Sequence, residues 1–530
     1  MKQPVDLRPD HAKIVHEIIA RYLPAGVSVR VFGSRAKWTA KPHSDLDLAL
    51  KGKEPLARSV LGDLAEAFSE SDLPFRVDVV DWRTVTPTFQ AVIDRDAKAL
   101  RWPIVTLGEV ASEITVGHVG SMANEYVPEG IPFLRSLNIA PYRILSQDLK
   151  FISPDFHKRL KKSALKPGDV VIVRTGKPGV CSVIPNWLSD ANCSDLVIVR
   201  CGSELRPRYL AYWANSLAAH HIGSNLVGAV QQHFNVGAAR QMPIFLPLVE
   251  EQDRILSVLG TMDDKIELNR RMNETLEGMA QAIFRDWFVD FGPVRRKAAG
   301  ETDAVAIMGG LTLEPARAAQ FAALFPAAFR DDDLPVGWSE RPLDSIAEFL
   351  NGLALQKHPA KPGEPDLPVI KIAELRNGLS DRTNRAARTL PSKYIIKDGD
   401  FIFSWSGSLM AKVWTEGEGA LNQHLFKVSS DVYPQWFYAL WVQHHMPEFR
   451  LIAASKATTM GHIQRMHLTN AATVCPPNSA IEAMSAIMQP LWDQMIHNEL
   501  ENRTLAEARD YLLPRLMSGA VRVARESEAA

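Results

Sequence analysis

The sequence predicts a multidomain α/β and α+β protein. It has a small α/β sheet domain, then two mixed α/β domains separated by two long helices that form an antiparallel coiled coil. Three observations carry this expectation. A helical stretch at 250–288 is repeated at 481–519, so that Asn269, Asn273, Thr275 and Leu276 fall on Asn498, Asn502, Thr504 and Leu505. Both stretches carry an apolar seam with steps of four and three residues. The first hundred residues instead alternate short strand and helix patterns, and at 530 residues the chain is too long for one core.

The opening segment 11–22, HAKIVHEIIARY, has helical spacing, and VSVRVF at 27–32 alternates like a strand that runs into Gly33 and Ser34. Ser44-Asp45-Leu46-Asp47-Leu48 reads as a second strand, a helix is expected near 55–70, and RVDVVD at 76–81 reads as a third strand. Alternation along a strand points Asp45 and Asp47 the same way. Two carboxylates on one side of a sheet repel each other, which is tolerable if they are exposed or share a divalent cation. Oxygen ligands at an open site suit Mg²⁺. Asp78 is a third candidate from the neighbouring strand, and Asp81 the alternative, on the opposite face by parity. Gly33 lets the backbone approach a phosphate closely, and Ser34 can donate to it. His43, inside the loop, reads as a loop side chain.

GSRA, followed by SDLDL and a later VDVV strand, resembles the minimal nucleotidyltransferase domain of the polymerase-β superfamily over roughly residues 10–100. The resemblance implies Asp45, Asp47 and Asp78 as catalytic metal ligands. It also implies Gly33-Ser34 as the triphosphate-binding turn, with Mg²⁺ and a nucleoside triphosphate, ATP by expectation, as cofactors.

After about residue 101 the chain says the same thing twice. RWPIVTLGEVASEITVG and GWSERPLDSIAEFLNG align Trp102 with Trp338 and Gly117 with Gly352. Each copy has a Gly-Asp turn into an apolar strand, at Gly168-Asp169 and Gly399-Asp400, and a strand-end loop, RTGKPG or SWSGS. The TGKPG loop lacks the length and the GK[ST] ending of a Walker A motif. ANCSDLVIVR at 191–200 matches ALNQHLFKVS at 420–429.

The seam at 255, 259, 262, 266, 269, 273, 276, 280, 283 and 287 reads Ile, Leu, Met, Ile, Asn, Asn, Leu, Ala, Ile, Trp. Its counterpart from Met484 to Leu516 reads Met, Met, Leu, Met, Asn, Asn, Leu, Arg, Leu, Leu. In an antiparallel pair the central asparagines meet and hydrogen-bond. A slipped register buries an amide against Leu or Met, at about 1–3 kcal/mol per unsatisfied group. A 39-residue helix is on the order of 58 Å long, which bounds the separation of two modules to under roughly two turns of B-DNA.

Basic and acidic residues balance, 60 against 61, so any nucleic-acid contact must come from local patches rather than a basic surplus. The runs His157–Lys162 and Arg295-Arg296-Lys297 are the candidates, with solvated faces as the alternative. Four cysteines without CxxC spacing suggest a reducing, cytoplasmic setting, and the sequence shows no membrane-spanning run.

LNRRMNETLEGMAQAIFRDWFVDFGPV, LFPAAFRDDDLPVGW and NRTLAEARDYLLPRLMSGAVRV together resemble the specificity subunit of type I restriction–modification systems over residues 101–523. The organisation expected is then a nucleotidyltransferase-like domain (1–100), a first target-recognition domain (101–249) and a first conserved helix (250–290). A loop-rich connector (291–334), a second target-recognition domain (335–480) and a second conserved helix (481–523) follow. The resemblance implies double-stranded DNA, modification methyltransferase subunits and a motor–nuclease restriction subunit as partners. S-adenosylmethionine and the methylation chemistry belong to the methyltransferase, so the specificity region is non-catalytic. Base-contacting residues are not legible at this level. The alternative is a chain that is first an antitoxin-like nucleotidyltransferase adenylylating a protein, with the repeat as an assembly arm.

Overall fold

The computed structural model describes residues 5–24, 27–41, 43–226, 233–455, 461–521 and 523. The chain divides into two compact units, Met1–Asp264 with Ala506–Ala530, and Lys265–Leu505. Among the described residues no helix is long and apolar enough to cross a membrane.

The first unit begins with a four-stranded sheet in the order Val77–Asp81, Leu46–Lys51, Ser28–Phe32, Lys98–Ala99. Leu46, Leu48 and Leu50 are buried on one face, so strand alternation puts Asp47 on the other. Helix Pro9–Tyr22 starts on a proline and buries Ala12, Val15 and Ile19 against this core. Helix Arg58–Ser69 adds Leu64 and Phe68. One expectation needs correction: the second strand starts at Leu46, leaving Asp45 one residue outside it. The Ser44 carbonyl is taken by the Arg35 guanidinium (2.7 Å and 3.1 Å), so pairing with the neighbouring strand begins only at Leu46.

The first copy of the duplicated domain holds an antiparallel sheet in the order Cys181–Val183, Val170–Val173, Leu196–Cys201, Ala111–Val116. A second sheet runs Ala164–Leu165, Ala191–Cys193, Ile131–Leu134, Lys150–Ile152, Tyr126–Val127, with its second and third strands parallel. The pair Ile104–Thr106 and Pro243–Phe245 closes the domain. In the second unit the same orders recur, the second sheet with four strands instead of five. Met410–Val413, Phe401–Ser404, Leu425–Ser429 and Glu348–Asn351 form one sheet. Ile395–Ile396, Gly419–Leu421, Asp366–Ile370 and Arg385–Ala387 form the other, again with its central pair parallel. Ser339–Pro342 pairs with Ala472–Cys475.

The aligned residues do matching work. Trp102 and Trp338 are both buried, one in each copy's core. The Gly117 amide donates to the Leu196 carbonyl, and the Gly352 amide to the Leu425 carbonyl. A Cβ at either glycine would sit 2.8 Å from the Cys193 sulfur or 2.2 Å from the Asn422 carbonyl oxygen. In each Gly-Asp turn the aspartate caps the chain three residues back, Asp169 accepting from the Lys166 amide and Asp400 from the Lys397 amide.

The long helices run Val249–Phe284, continued by a π-helical turn at Arg285–Val289, and Asn478–Met517. In the second unit they are antiparallel. Asn269 Nδ2 donates to Asn502 Oδ1 (3.0 Å) and Asn498 Nδ2 to Asn273 Oδ1 (2.8 Å), so the expected amide layers do meet. Asn269 Oδ1 and Asn502 Nδ2 are left buried without a partner. In the first unit the same two helices pack Ile255 and Leu259 with Leu513, Leu516 and Met517 in the core. Arg509, the charged seam position, donates to Asp263 Oδ1 (2.6 Å), and Asp263 also accepts from the Tyr212 hydroxyl.

Residues 291–334 contain three short helices, Gly292–Ala298, Ala304–Ile307 and Pro315–Ala322, with turns and loops between them, and Val294, Ile307, Phe321 and Phe325 are buried in the second unit's aromatic core. The basic run within them is bound to local partners, with Arg295 exposed and Arg296 and Lys297 half-buried. Arg295 donates to the Asp290 carbonyl, Arg296 grips Asp286 with two bonds, and Lys297 Nζ donates to the carbonyls of Ala322 and Phe325 (2.7 Å each). In the other run His157 meets Asp190 and Arg159 covers the Phe156 ring, which leaves Lys161 and Lys162 exposed.

Two stability outcomes follow. Asn269→Leu strands the Asn502 amide and lowers unfolding free energy by about 1–3 kcal/mol, whereas Asn269→Leu with Asn502→Leu restores or exceeds the wild-type value, both read by urea denaturation. Arg509→Ala leaves Asp263 buried without its cation, and costs about 3–5 kcal/mol in the same measurement.

Candidate functional site

Gly33 has φ +72°, and a Cβ there would lie 2.1 Å from Asp47 Oδ2. Only glycine lets the backbone turn against that carboxylate. The turn leads straight into one helical turn, Gly33–Ala36, with Ser34 half-buried on it. Asp47 stands opposite Phe32 on one neighbouring strand and Asp78 on the other, the latter in a parallel pairing. Asp45 lies exposed just ahead of the strand.

Three of the four expected acidic candidates are thus on one edge of the sheet, and the fourth is separated from them. Asp81 is buried on the other side, its oxygens accepting from the amides of Leu56 (2.8 Å) and Arg83 (2.9 Å), which makes it a structural brace. His43 is exposed in its turn.

The electrostatics of the edge are unbalanced. Burial pushes the Asp47 carboxyl above its ordinary value, and the charges of Asp78 and Asp45 push it further, against the pull of Arg35. Arg35 is buried, but its hydrogen bonds go to the carbonyls of Ser44 and Asp6 and its plane covers the Phe75 ring. It contributes charge to the edge without a hydrogen bond to Asp47 among the described contacts. Asp78 is paired with Arg76 (2.9 Å), whose side chain is 78% exposed. Among the described residues no three His, Cys, Asp or Glu side chains already converge as a metal cluster. An all-oxygen set with excess negative charge, one carboxyl held up in pKa and a glycine cradle against it, nevertheless fits a divalent cation and a phosphate. Binding requires Asp78 to turn from Arg76.

Sequence reasoning assigned no role to Arg35 or Arg76. The signal for Arg35 is its place inside GSRA, in an apolar stretch where a cation is retained only if its donors are satisfied.

Two family models match the chain. A family model described as polymerase beta, nucleotidyltransferase, matches residues 15–101. The model for the type I restriction modification DNA specificity domain matches twice, at 100–278 and 335–507. The chain therefore belongs to the type I restriction–modification DNA specificity family, with a nucleotidyltransferase domain preceding the duplicated region. It is 26% identical over 313 residues to the HindI specificity subunit of Haemophilus influenzae, covering 52% of this chain and 68% of that one. It is 22% identical over 441 residues to the MjaIX specificity subunit of Methanocaldococcus jannaschii, covering 81% and 94%. Over 89 residues it is 45% identical to the probable protein adenylyltransferase MntA of Haemophilus influenzae, 17% of this chain and 77% of that one. A domain of this class works on a nucleoside triphosphate with metal ions.

A carboxyl with a raised folded-state pKa binds its proton more tightly in the native than in the unfolded chain. Its charged form therefore destabilises the fold at neutral pH, and the cost fades as pH falls through the aspartate range, about 3.9. Asp47→Asn is expected to raise the melting temperature at pH 7 in metal-free buffer, with the gain vanishing toward pH 3.5. An unchanged or lowered melting temperature at pH 7 would contradict the charge imbalance.

Proposed function

We propose that this chain is the DNA-targeting subunit of a type I restriction–modification complex, each copy of the duplicated domain reading one half of a bipartite site. The observation that carries the reading is the recurrence, on two paired helices, of the four-stranded sheet in the same strand order and of the second sheet's order less its fifth strand. Double-stranded DNA is the ligand. Methyltransferase subunits, which bind S-adenosylmethionine, and a motor–nuclease subunit are the partners. The helices hold the two reading domains apart and dock the methyltransferase. The four cysteines are free thiols, and burial pushes all four up in pKa, which suits a reducing cytoplasm.

The preceding domain transfers a nucleotidyl group, with adenylyl transfer from ATP to a protein hydroxyl as the reaction. Asp45, Asp47 and Asp78 hold Mg²⁺, and the Gly33-Ser34 turn seats the triphosphate. Bound magnesium supplies activation of the acceptor hydroxyl and charge stabilisation of the departing pyrophosphate. Gly33 keeps the backbone low beside Asp47, and Arg35 fixes the loop that carries Asp45. The 45% identity to a probable protein adenylyltransferase supports this acceptor class. Its role is regulatory or partner-modifying, secondary to DNA targeting.

Single-molecule mapping of methylated bases in cells carrying the partner genes tests both parts. A split motif should appear with the wild-type chain, vanish on its deletion and survive Asp45→Asn/Asp47→Asn. Absence of any motif with intact chain and expressed partners would overturn the targeting role. Purified wild-type chain should transfer label from α-labelled ATP to protein, and the double variant should lose at least 100-fold of that activity.

A further inference from the structure

The two copies are tied alike in backbone yet differ in side chains at one edge of the four-stranded sheet. In the first copy Ala111–Val116 and Val170–Val173 end, and Leu196–Cys201 begins, at this edge, so Gly117, Arg174 and Asp195 stand there. In the second copy Glu348–Asn351 and Phe401–Ser404 end and Leu425–Ser429 begins, bringing Gly352, Trp405 and His424 to the corresponding edge. The Phe234 amide donates to the Arg174 carbonyl (3.0 Å), and the Ile463 amide to the Trp405 carbonyl (3.0 Å).

The polar groups mounted on this common backbone are not equivalent. Asp195, at φ +51°, accepts from Arg174 Nη1 (2.8 Å) and Thr175 Oγ1 (2.6 Å). In the second copy Ser406 Oγ lies 3.0 Å from His424 Nδ1, and Gln423 Nε2 lies 3.3 Å from His424 Nε2. The Trp405 indole donates to Asn351 Oδ1 (3.0 Å) and its ring lies 5.8 Å from that of His424. Arg174 Nε also braces the Phe234 carbonyl (3.3 Å), but that repeated tie calls neither for the Asp195 carboxylate on Arg174 Nη1 nor for the imidazole and indole of the other copy. The clusters are partly open: the Asp195 side chain is 37% exposed and that of Arg174 15%, Trp405, Gln423 and His424 are half-buried, and Gly176, Lys177, Gly407 and Ser408 beside them are exposed.

We propose that this edge reads bases in each copy, with Arg174, Thr175 and Asp195 setting one half-site and Trp405, Gln423 and His424 the other. The inference rests on the DNA-targeting reading above and deepens it. The ligand is the major-groove edge of duplex DNA. A carboxylate accepts from an exocyclic amino group, as on cytosine, and a guanidinium donates to guanine O6 and N7. Arg174 and Asp195 satisfy each other in the free chain and exchange that bond for base contacts. The second cluster has no carboxylate, and its Gln423 amide offers the paired donor and acceptor that match adenine. The two half-sites therefore differ in sequence.

The test selects from randomised duplexes with the purified complex of full chain and methyltransferase subunits, followed by sequencing of the bound pool. Asp195→Asn keeps a residue type that tolerates the left-handed backbone, and His424→Gln keeps a donor of similar reach. Asp195→Asn should flatten discrimination at one or two adjacent base pairs of one half by on the order of 10-fold, leaving the other half unchanged. His424→Gln should do the converse. Unchanged preferences in both halves, or a uniform loss of enrichment across both, would overturn the assignment. A wild-type pool without any split motif would instead sink the targeting reading itself.

Discussion

The register of the two long helices is the constraint on which the remaining contacts depend. Asn269 and Asn502 bury one hydrogen bond between them and leave two polar atoms unsatisfied, so this layer is costly in any alignment. It is least costly where amide faces amide, because a shift along the seam sets each asparagine against Met495, Leu505 or Ile266. Glu501 and Glu499 take up further amide protons, from Asn269 (2.7 Å) and Asn273 (2.9 Å). The seam thus exchanges stability for a single alignment. In that alignment Asp263 meets Arg509 within the first unit, and Arg503 reaches Asp398 (2.9 Å) within the second. Each is a charged contact between a long helix and its partner or its domain. Neither survives a slip of one turn, so the amides and the ion pairs specify the same register.

Duplication separates what the fold needs from what a copy is free to vary. Gly117 and Gly352 are fixed because a carbonyl or sulfur occupies the space of any side chain, and Trp102 and Trp338 because each fills a core. The Asp169 and Asp400 caps recur because both Gly-Asp turns leave an amide to satisfy. The strand-end groups are under less demand, since each copy makes a main-chain tie there, from Phe234 to Arg174 and from Ile463 to Trp405, to which only the first copy adds a side-chain bond, from Arg174 Nε to the Phe234 carbonyl. Arg174 and Trp405 differ in size, charge and hydrogen-bonding capacity at one topological position. The repeated backbone thus accepts different side chains at this position in its two copies.

Much of this was legible in the sequence because it is periodic. The step of four and three residues located both helices and the meeting asparagines, and period two separated Asp47 from Leu46 and Leu48 and set Asp81 apart from Asp78. What was not legible depends on partners remote in the chain. Arg295–Lys297 read as an external basic run, but Lys297 is held by carbonyls 25 and 28 residues away. The three helices within 291–334 did not show either, because each is too short to display a period and their buried residues are spread among them. Asp45 read as part of a strand until Arg35 claimed the Ser44 carbonyl. Arg35 itself was a letter in a motif whose burial no local pattern signals.

The mounting of the nucleotidyltransferase domain bears on what it can modify. Its last strand leads within three residues to Trp102, a core residue of the first duplicated domain, with the Leu100 amide still bound to the Val29 carbonyl. His16 on its first helix contacts the Arg101 carbonyl (2.8 Å) and packs against the Trp102 ring, and Lys13 pairs with Glu204 (2.9 Å). A domain fastened by helix, strand and ion pair within one compact unit does not swing out on a tether to find its acceptor. An acceptor would have to come to it, since the Asp47 edge is carried at a place fixed relative to the first duplicated domain.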